Sequence, residues 1–261
     1  MKSRSERRQR VTLGDIGREL GISAAAVSLA LRGDTGVSQE TRAKALDTAE
    51  RLGYIYDRSA ALLRTGQSHT VGIVVGTLSN SFFGELVSGV DEVIGEASKI
   101  SFILNTKENP DRQRELLIRV SEQSVGGLII CPAPNADPGI LDTIRKWGIP
   151  AIQILRSISG QKGDFVSADY QSGIEALCAH LIRLGHKRIA FIGGGLDHSA
   201  TRERMAGFQT TLRRSGLTDD LVFRTTDDGS GGRAGIAQAL QAERPATAAV
   251  CFNDNVALGA L

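Results

Sequence analysis

The chain has 261 residues, of which 41% are hydrophobic and 23% charged, with a net charge of +2. At roughly 100–200 residues per domain it can build two or three cores, and it holds no apolar run of membrane-spanning length. Charge is uneven: residues 1–66 carry 12 Lys/Arg against 8 Asp/Glu and the remainder 19 against 21, so a basic head that suits nucleic acid precedes a mildly acidic body.

The start "MKSRSERRQR" is basic but leads into a polar segment rather than an apolar secretory core, so a cytoplasmic location is expected. A solvated tail is the other reading of those ten residues. Cys131, Cys178 and Cys251 are widely spaced and odd in number. That pattern fits reduced thiols rather than a disulfide framework, and neither metal nor cofactor is expected.

Thr12 precedes "LGDIGREL" with Asp15 three residues on, a variant of the capping box that opens a helix. Gly21 ends it. Ser23 then caps "AAAVSLAL", closed by Gly33, and Ser38 caps "QETRAKALDTAERL", closed by Gly53. Ile16, Leu20, Ile22, Val27 and Ala30 fall where the first two helices must pack, and Gly17 allows a close crossing. Two short helices joined by a glycine turn, plus a supporting third, describe an all-α helix-turn-helix head over residues 1–56. Residues 57–69, with "DRSAALLRTGQS", are too short for a stable isolated helix and read as a hinge and linker.

The run from "VTLGDIGRELG" to "VGIVV" resembles the N-terminus of the lactose/galactose repressor (LacI/GalR) family. The most specific motifs are V-T-L, Ser-x-x-x-V-S, V-S-x-x-T-R and L-G-Y, and a looser resemblance runs to the last residue. It implies a transcriptional regulator, usually a repressor, that binds pseudo-palindromic operator DNA as a homodimer and answers to a small-molecule effector. The second helix would lie in the major groove, with Ala24, Ala25 and Leu29 at base-facing positions, Ser28 and Arg32 flanking them, and Thr12 and Ser23 beside the DNA. The family commonly has arginine where this chain has Leu29. Alanine and leucine meet thymine methyls but form no bidentate hydrogen bonds. Specificity is therefore expected to lean on Ser23, Ser28, Arg32, DNA shape and the hinge. There Leu63, near Ala60, matches the leucine that wedges into the minor groove, and Arg58 and Arg64 match phosphate contacts. Packing of Leu63 on the core remains the alternative. Tyr56-Asp57 replaces the usual Pro-Asn, and Asp57 could cap the hinge helix.

From Thr70 onward apolar strands such as "VGIVVG", "ISFILN" and "GGLIICP" alternate with helical segments such as "FFGELVSGVDEVIGEAS" and "DRQRELLIRVSEQ". This alternation predicts an α/β body of two doubly wound subdomains, 70–168 and 169–261. The resemblance makes it a periplasmic-binding-protein-like core. Ligands of such sheets lie beyond the carboxyl ends of the strands. Ser79, Asn80 and Phe82 after the first strand, Arg156 after "PAIQIL", Asp169 in "VSADY", Arg204 in "TRERMAGF" and Asp254 in "CFNDN" are the expected effector-binding residues. Asn80 and Asp254 read equally well as helix caps, and Arg202 or Arg204 as surface charge. Leu155 stands where many sugar-responsive members carry aspartate, which with Arg156 leans toward an anionic ligand.

The rival readings are weaker. "GGGLDHSATRERM" follows a strand as a dinucleotide-binding loop would, but His198 occupies the third glycine position and no acidic strand end follows. No Walker A, HExxH or GxSxG occurs, so no enzyme is expected. A pure solute-binding protein does not account for the head. Because family cores continue with further strand-helix units beyond "NDNVALGAL", the second subdomain is expected to be incomplete and the chain a truncated record.

Overall fold

A computed structural model describes residues 10–55, 68–158, 160 and 163–261. They fall into two compact units that divide between Gly66 and Gln67.

The first unit contains three helices, α1 (Leu13–Leu20), α2 (Ala24–Arg32) and α3 (Gln39–Leu52). Thr12 and Asp15 form the reciprocal capping box at α1. Ser23 and Ser38 each accept from the N–H three residues on. Gly21, Gly33 and Gly53 end the helices in the left-handed conformation, which glycine adopts without a Cβ penalty. Ile16, Val27 and Ala49 form the small core. At Gly17 the chain leaves no room for more: a Cβ there would sit 2.6 Å from the Ile22 carbonyl oxygen.

The second unit alternates strands and helices: β1 (Thr70–Val75), α4 (Ser81–Glu96), β2 (Ile100–Asn105), α5 (Pro110–Ser121), β3 (Gly127–Ile130), α6 (Ile140–Lys146), β4 (Ala151–Ile154) and β5 (Asp164–Val166). It continues with α7 (Tyr170–Arg183), β6 (Ile189–Ile192), α8 (Ser199–Arg214), β7 (Val222–Phe223), α9 (Gly229–Gln241), β8 (Ala248–Cys251) and α10 (Asp254–Ala260). The first sheet runs β2-β1-β3-β4-β5 and the second β7-β6-β8, and every pairing is parallel. Side chains alternate across a strand, so β1 feeds two cores. Ile73 and Val75 pack with Phe83, Val87 and Ile94 of α4. Val74 packs with Leu117 of α5 and with Ile140 and Ile144 of α6. The second sheet is centred on Phe191 and Phe208, whose ring centroids lie 5.4 Å apart. Burying such a side chain contributes about 1.5–3 kcal/mol. Among the described residues no helix is long and apolar enough to cross a membrane.

Candidate functional site

In the head, Ser23, Ala24 and Ala25 are exposed at the start of α2, Ser28 and Leu29 are half-buried, and Arg32 is exposed. The Arg32 Nε–H donates to the Ser28 carbonyl at 3.0 Å, which lays the guanidinium along the helix. Thr12 is exposed, but its hydroxyl donates to Asp15 at 2.7 Å. That bond and the Thr12 backbone N–H hold the Asp15 carboxyl below the usual range. Thr12 is therefore first a cap. Arg58, Ala60, Leu63 and Arg64 lie outside the described residues.

In the second unit the loops after the carboxyl ends of β1, β4 and β8 meet the starts of α4, α7, α8 and α10. They enclose a cavity of about 990 Å³. Ser79, Asn80, Phe82, Arg156, Asp169, Arg204 and Asp254 all line it. Asn80 also caps α4, accepting from the Phe82 N–H at 3.0 Å, and Asp169 caps α7, accepting from the Ser172 N–H at 2.9 Å. The Ser172 backbone N–H, and after it the Ser172 side chain, hold the Asp169 carboxyl down. Asp254 is not a cap: Asn253 takes that role at α10, leaving Asp254 exposed at the first helical position.

Arg204 is a wall of the cavity rather than surface charge. Its guanidinium lies 3.7 Å from the Tyr170 ring centroid and 4.5 Å from that of Phe252, and Nη1 donates to the Ala200 carbonyl at 3.2 Å. Burial pulls its pKa down, opposed by Tyr170 and Asp227. Arg202, by contrast, is exposed and pairs with Asp197.

Arg156 departs from the expectation that it strengthens anion binding. It is 8% exposed and meets Glu108 with two bonds, Nη1 to Oε2 at 2.5 Å and Nη2 to Oε1 at 3.0 Å. Burial, the largest influence, would lower its pKa, yet the bonds to Glu108 together with the nearby Cys131, Glu108 and Asp227 groups outweigh it and the net shift is upward. The preceding Leu155, also on the cavity wall, has φ +62°. That left-handed conformation costs a non-glycine residue on the order of 1 kcal/mol.

Several residues in and around the cavity carried no signal in the sequence. Glu108 follows a strand in the polar stretch "NTKENP", and Phe252 reads as strand core in "TAAVCF". Asp227 has its carboxyl raised by burial, which the Gly194 N–H bond at 2.6 Å opposes. His198 is nine-tenths buried and its imidazole caps α8, accepting from the Thr201 N–H at 3.2 Å. Burial and then Arg156, Arg204 and Arg202 push its pKa down to about 3. Cys131 is driven up to about 12 by burial, which leaves a protonated, unreactive thiol. Among the described residues no group of three His, Cys, Asp or Glu side chains could hold a metal ion.

Two parallel α/β halves walling a cavity at their strand ends define a periplasmic-binding-protein type of ligand-binding core, here in one chain with a capped helix-turn-helix. The family described as periplasmic binding proteins and sugar binding domain of the LacI family matches residues 68–261. The chain belongs to the LacI family. It is 30% identical over 254 residues to the maltose regulon regulatory protein MalI of Escherichia coli (strain K12), covering 97% of this chain and 74% of the relative. It is 29% identical over 255 residues to catabolite control protein A of Priestia megaterium, covering 96% and 76%. Its fold is that of the lac repressor dimer bound to operator and the anti-inducer ONPF, with a TM-score of 0.86 at 24% identity over 97% of this chain and 76% of that one.

Proposed function

We propose that the protein is a sequence-specific DNA-binding transcriptional regulator, acting as a repressor, whose operator affinity is set by a small molecule held in the core cavity. The observation that carries this reading is the cavity itself. Its walls come from both α/β halves and bring seven separated polar and aromatic residues to one space, in a chain that also holds a helix-turn-helix whose second helix begins with exposed residues. The relatives' names and the lac repressor complex with operator and anti-inducer support it.

In this reading α2 enters the major groove through Ser23, Ala24, Ala25 and Ser28. Two copies read the two halves of a pseudo-palindromic site. The hinge adds contacts from Arg58, Ala60, Leu63 and Arg64. Arg204 and Asp254 grip polar groups of the effector while Phe82 covers an apolar face. The effector acts by linkage: it favours one orientation of the core halves, and that orientation has a different affinity for DNA. No catalysis and no cofactor enters this scheme.

The test combines operator selection from random duplexes with effector screening. Binding to a pseudo-palindrome should fall steeply with salt, as phosphate contacts release counterions. Arg204→Ala should leave operator binding unchanged and abolish the response to any effector found. Equal affinity for random and selected duplex at every salt concentration would defeat the DNA reading. A full response by Arg204→Ala would defeat the assignment of the cavity.

A further inference from the structure

The first two turns of α2 carry little hydrogen-bonding chemistry, although the second helix of a helix-turn-helix meets base edges with its N-terminal residues. Ala24 and Ala25 are exposed there, and Ser28 and Leu29 follow one turn later, half-buried. Residues four apart share a face of a helix, so Ala25 and Leu29 present methyl groups side by side. Leu29 is not a core residue. Leu31, two positions on and about 200° around the helix, packs with Ile16, Val27 and Ala49. Leu29 stands outside that cluster, on the side of Ala25.

Two of the polar groups on which the sequence placed the readout are engaged elsewhere. The Ser23 hydroxyl caps the helix, accepting from the Ala26 N–H at 3.1 Å. Arg32 is tied by its Nε–H to the Ser28 carbonyl at 3.0 Å. It lies eight residues from Ala24, about 12 Å along the axis, where its charge suits the phosphate backbone rather than base edges. The Ser28 hydroxyl is left, and a hydroxyl that both donates and accepts bonds with any base edge.

What α2 offers is therefore apolar surface in a basic setting, with 12 Lys/Arg against 8 Asp/Glu over residues 1–66. That charge commits the face to nucleic acid, since phosphate contacts supply affinity without regard to sequence. In the major groove one natural group matches an apolar face, the C5-methyl of thymine. The amino group of cytosine and the O6 and N7 of guanine would lose water against Ala25 or Leu29 and gain no bond in return.

We infer that α2 selects its operator through the C5-methyl groups of pyrimidines. The half-site places thymines beneath Ala24, Ala25 and Leu29, and the methyl group is read rather than the hydrogen-bonding pattern of the base pair. A 5-methylcytosine then stands in for thymine at those positions, and uracil ranks with unmodified cytosine. This rests on the DNA-binding reading above and names the chemistry of that contact.

The full chain first selects a duplex from a random pool. The selected site is then remade with deoxyuridine for thymidine, one symmetry-related pair of positions at a time, so that only methyl groups are lost. Each methyl buried against α2 should be worth about fourfold in affinity, and a symmetric pair on the order of tenfold. Exchanging the same A·T pairs for G·C should weaken binding at least as much. Placing 5-methylcytosine for that cytosine should recover severalfold. Leu29→Ala keeps a helix-favouring residue at a position outside the core. It should shrink the uracil penalty at one pair of positions and leave the others unchanged.

Uracil duplexes bound as tightly as the thymine duplex overturn the inference, as does a selected half-site without thymine. A uracil penalty untouched by Leu29→Ala at every position places the effect in DNA shape and overturns it as well. Indifference to sequence in the random pool overturns the DNA-binding reading itself, whereas a strong preference that ignores the methyl overturns this inference alone.

Discussion

His198 stands apart at the residue scale, because a buried imidazole does what Ser, Thr, Asp or Asn does at the other side-chain caps. It accepts from the Thr201 N–H through Nδ1, which requires the neutral ring, and burial with three arginines nearby lowers its pKa to about 3 from 6.5. The unfolded chain takes up a proton near pH 6.5 that the folded chain refuses until about pH 3. Stability is therefore fully present above pH 6.5 and declines as pH falls toward 3, by on the order of 1 kcal/mol per pH unit. His198→Asn keeps an acceptor at the cap and removes the titration, so thermal melts between pH 6.5 and pH 4 should lose much of their slope; an unchanged slope would refute the assignment. At this scale the sequence showed the cavity residues that sit close after strand ends, such as Asn80 and Arg156. It hid Glu108, whose partner lies 48 residues away and whose carboxylate fills the space left by the missing side chain of Gly76. It also presented His198 only as a missing glycine.

Among the elements, strands and amphipathic helices were legible because their periodicities are strong, and "ISFILN" is β2 as observed. Two features were not. The strand β5 has three exposed residues and carries no apolar alternation; it exists through its pairing with β4. The helix α9 starts at Gly229, although its first turn "GSGG" has poor intrinsic helix propensity. Packing overrides it. A Cβ at Gly232 would fall 2.1 Å from the Val256 carbonyl and one at Gly259 2.0 Å from that of Gly229, so α9 and α10 approach backbone to backbone. Gly232→Ala should then destabilise the chain by about 1–3 kcal/mol despite alanine's better propensity. Gly89→Ala, on an exposed face of α4 with open space around it, should stabilise by about 0.5–1 kcal/mol. Urea unfolding of the two variants would check the contrast, and the same sign for both would show that the helix contact yields.

For the whole molecule, the legible feature was a basic head on an acidic body, which carried the two-function reading. The surface where copies meet was not legible, since an edge strand and a central strand share one pattern. Structure separates them. β2 pairs with β1 alone, yet Ile100, Phe102 and Ile103 are 51%, 43% and 49% exposed, with Val93 of α4 64% exposed. An open apolar edge of this kind is a liability unless it is covered, and the two-fold operator binding proposed above requires a covering partner identical to the chain itself. The double variant Ile100→Lys/Phe102→Glu places charge on that edge while leaving the buried residues of β1 and α4 intact. It should remain folded by circular dichroism but elute as a monomer in size-exclusion chromatography with light scattering. Losing the second half-site contact removes the gain from bivalency, so operator affinity should fall on the order of 10²-fold or more, while affinity for random duplex changes little because each head keeps its phosphate contacts. A variant that stays dimeric with undiminished operator affinity would move the pairing surface elsewhere on the core.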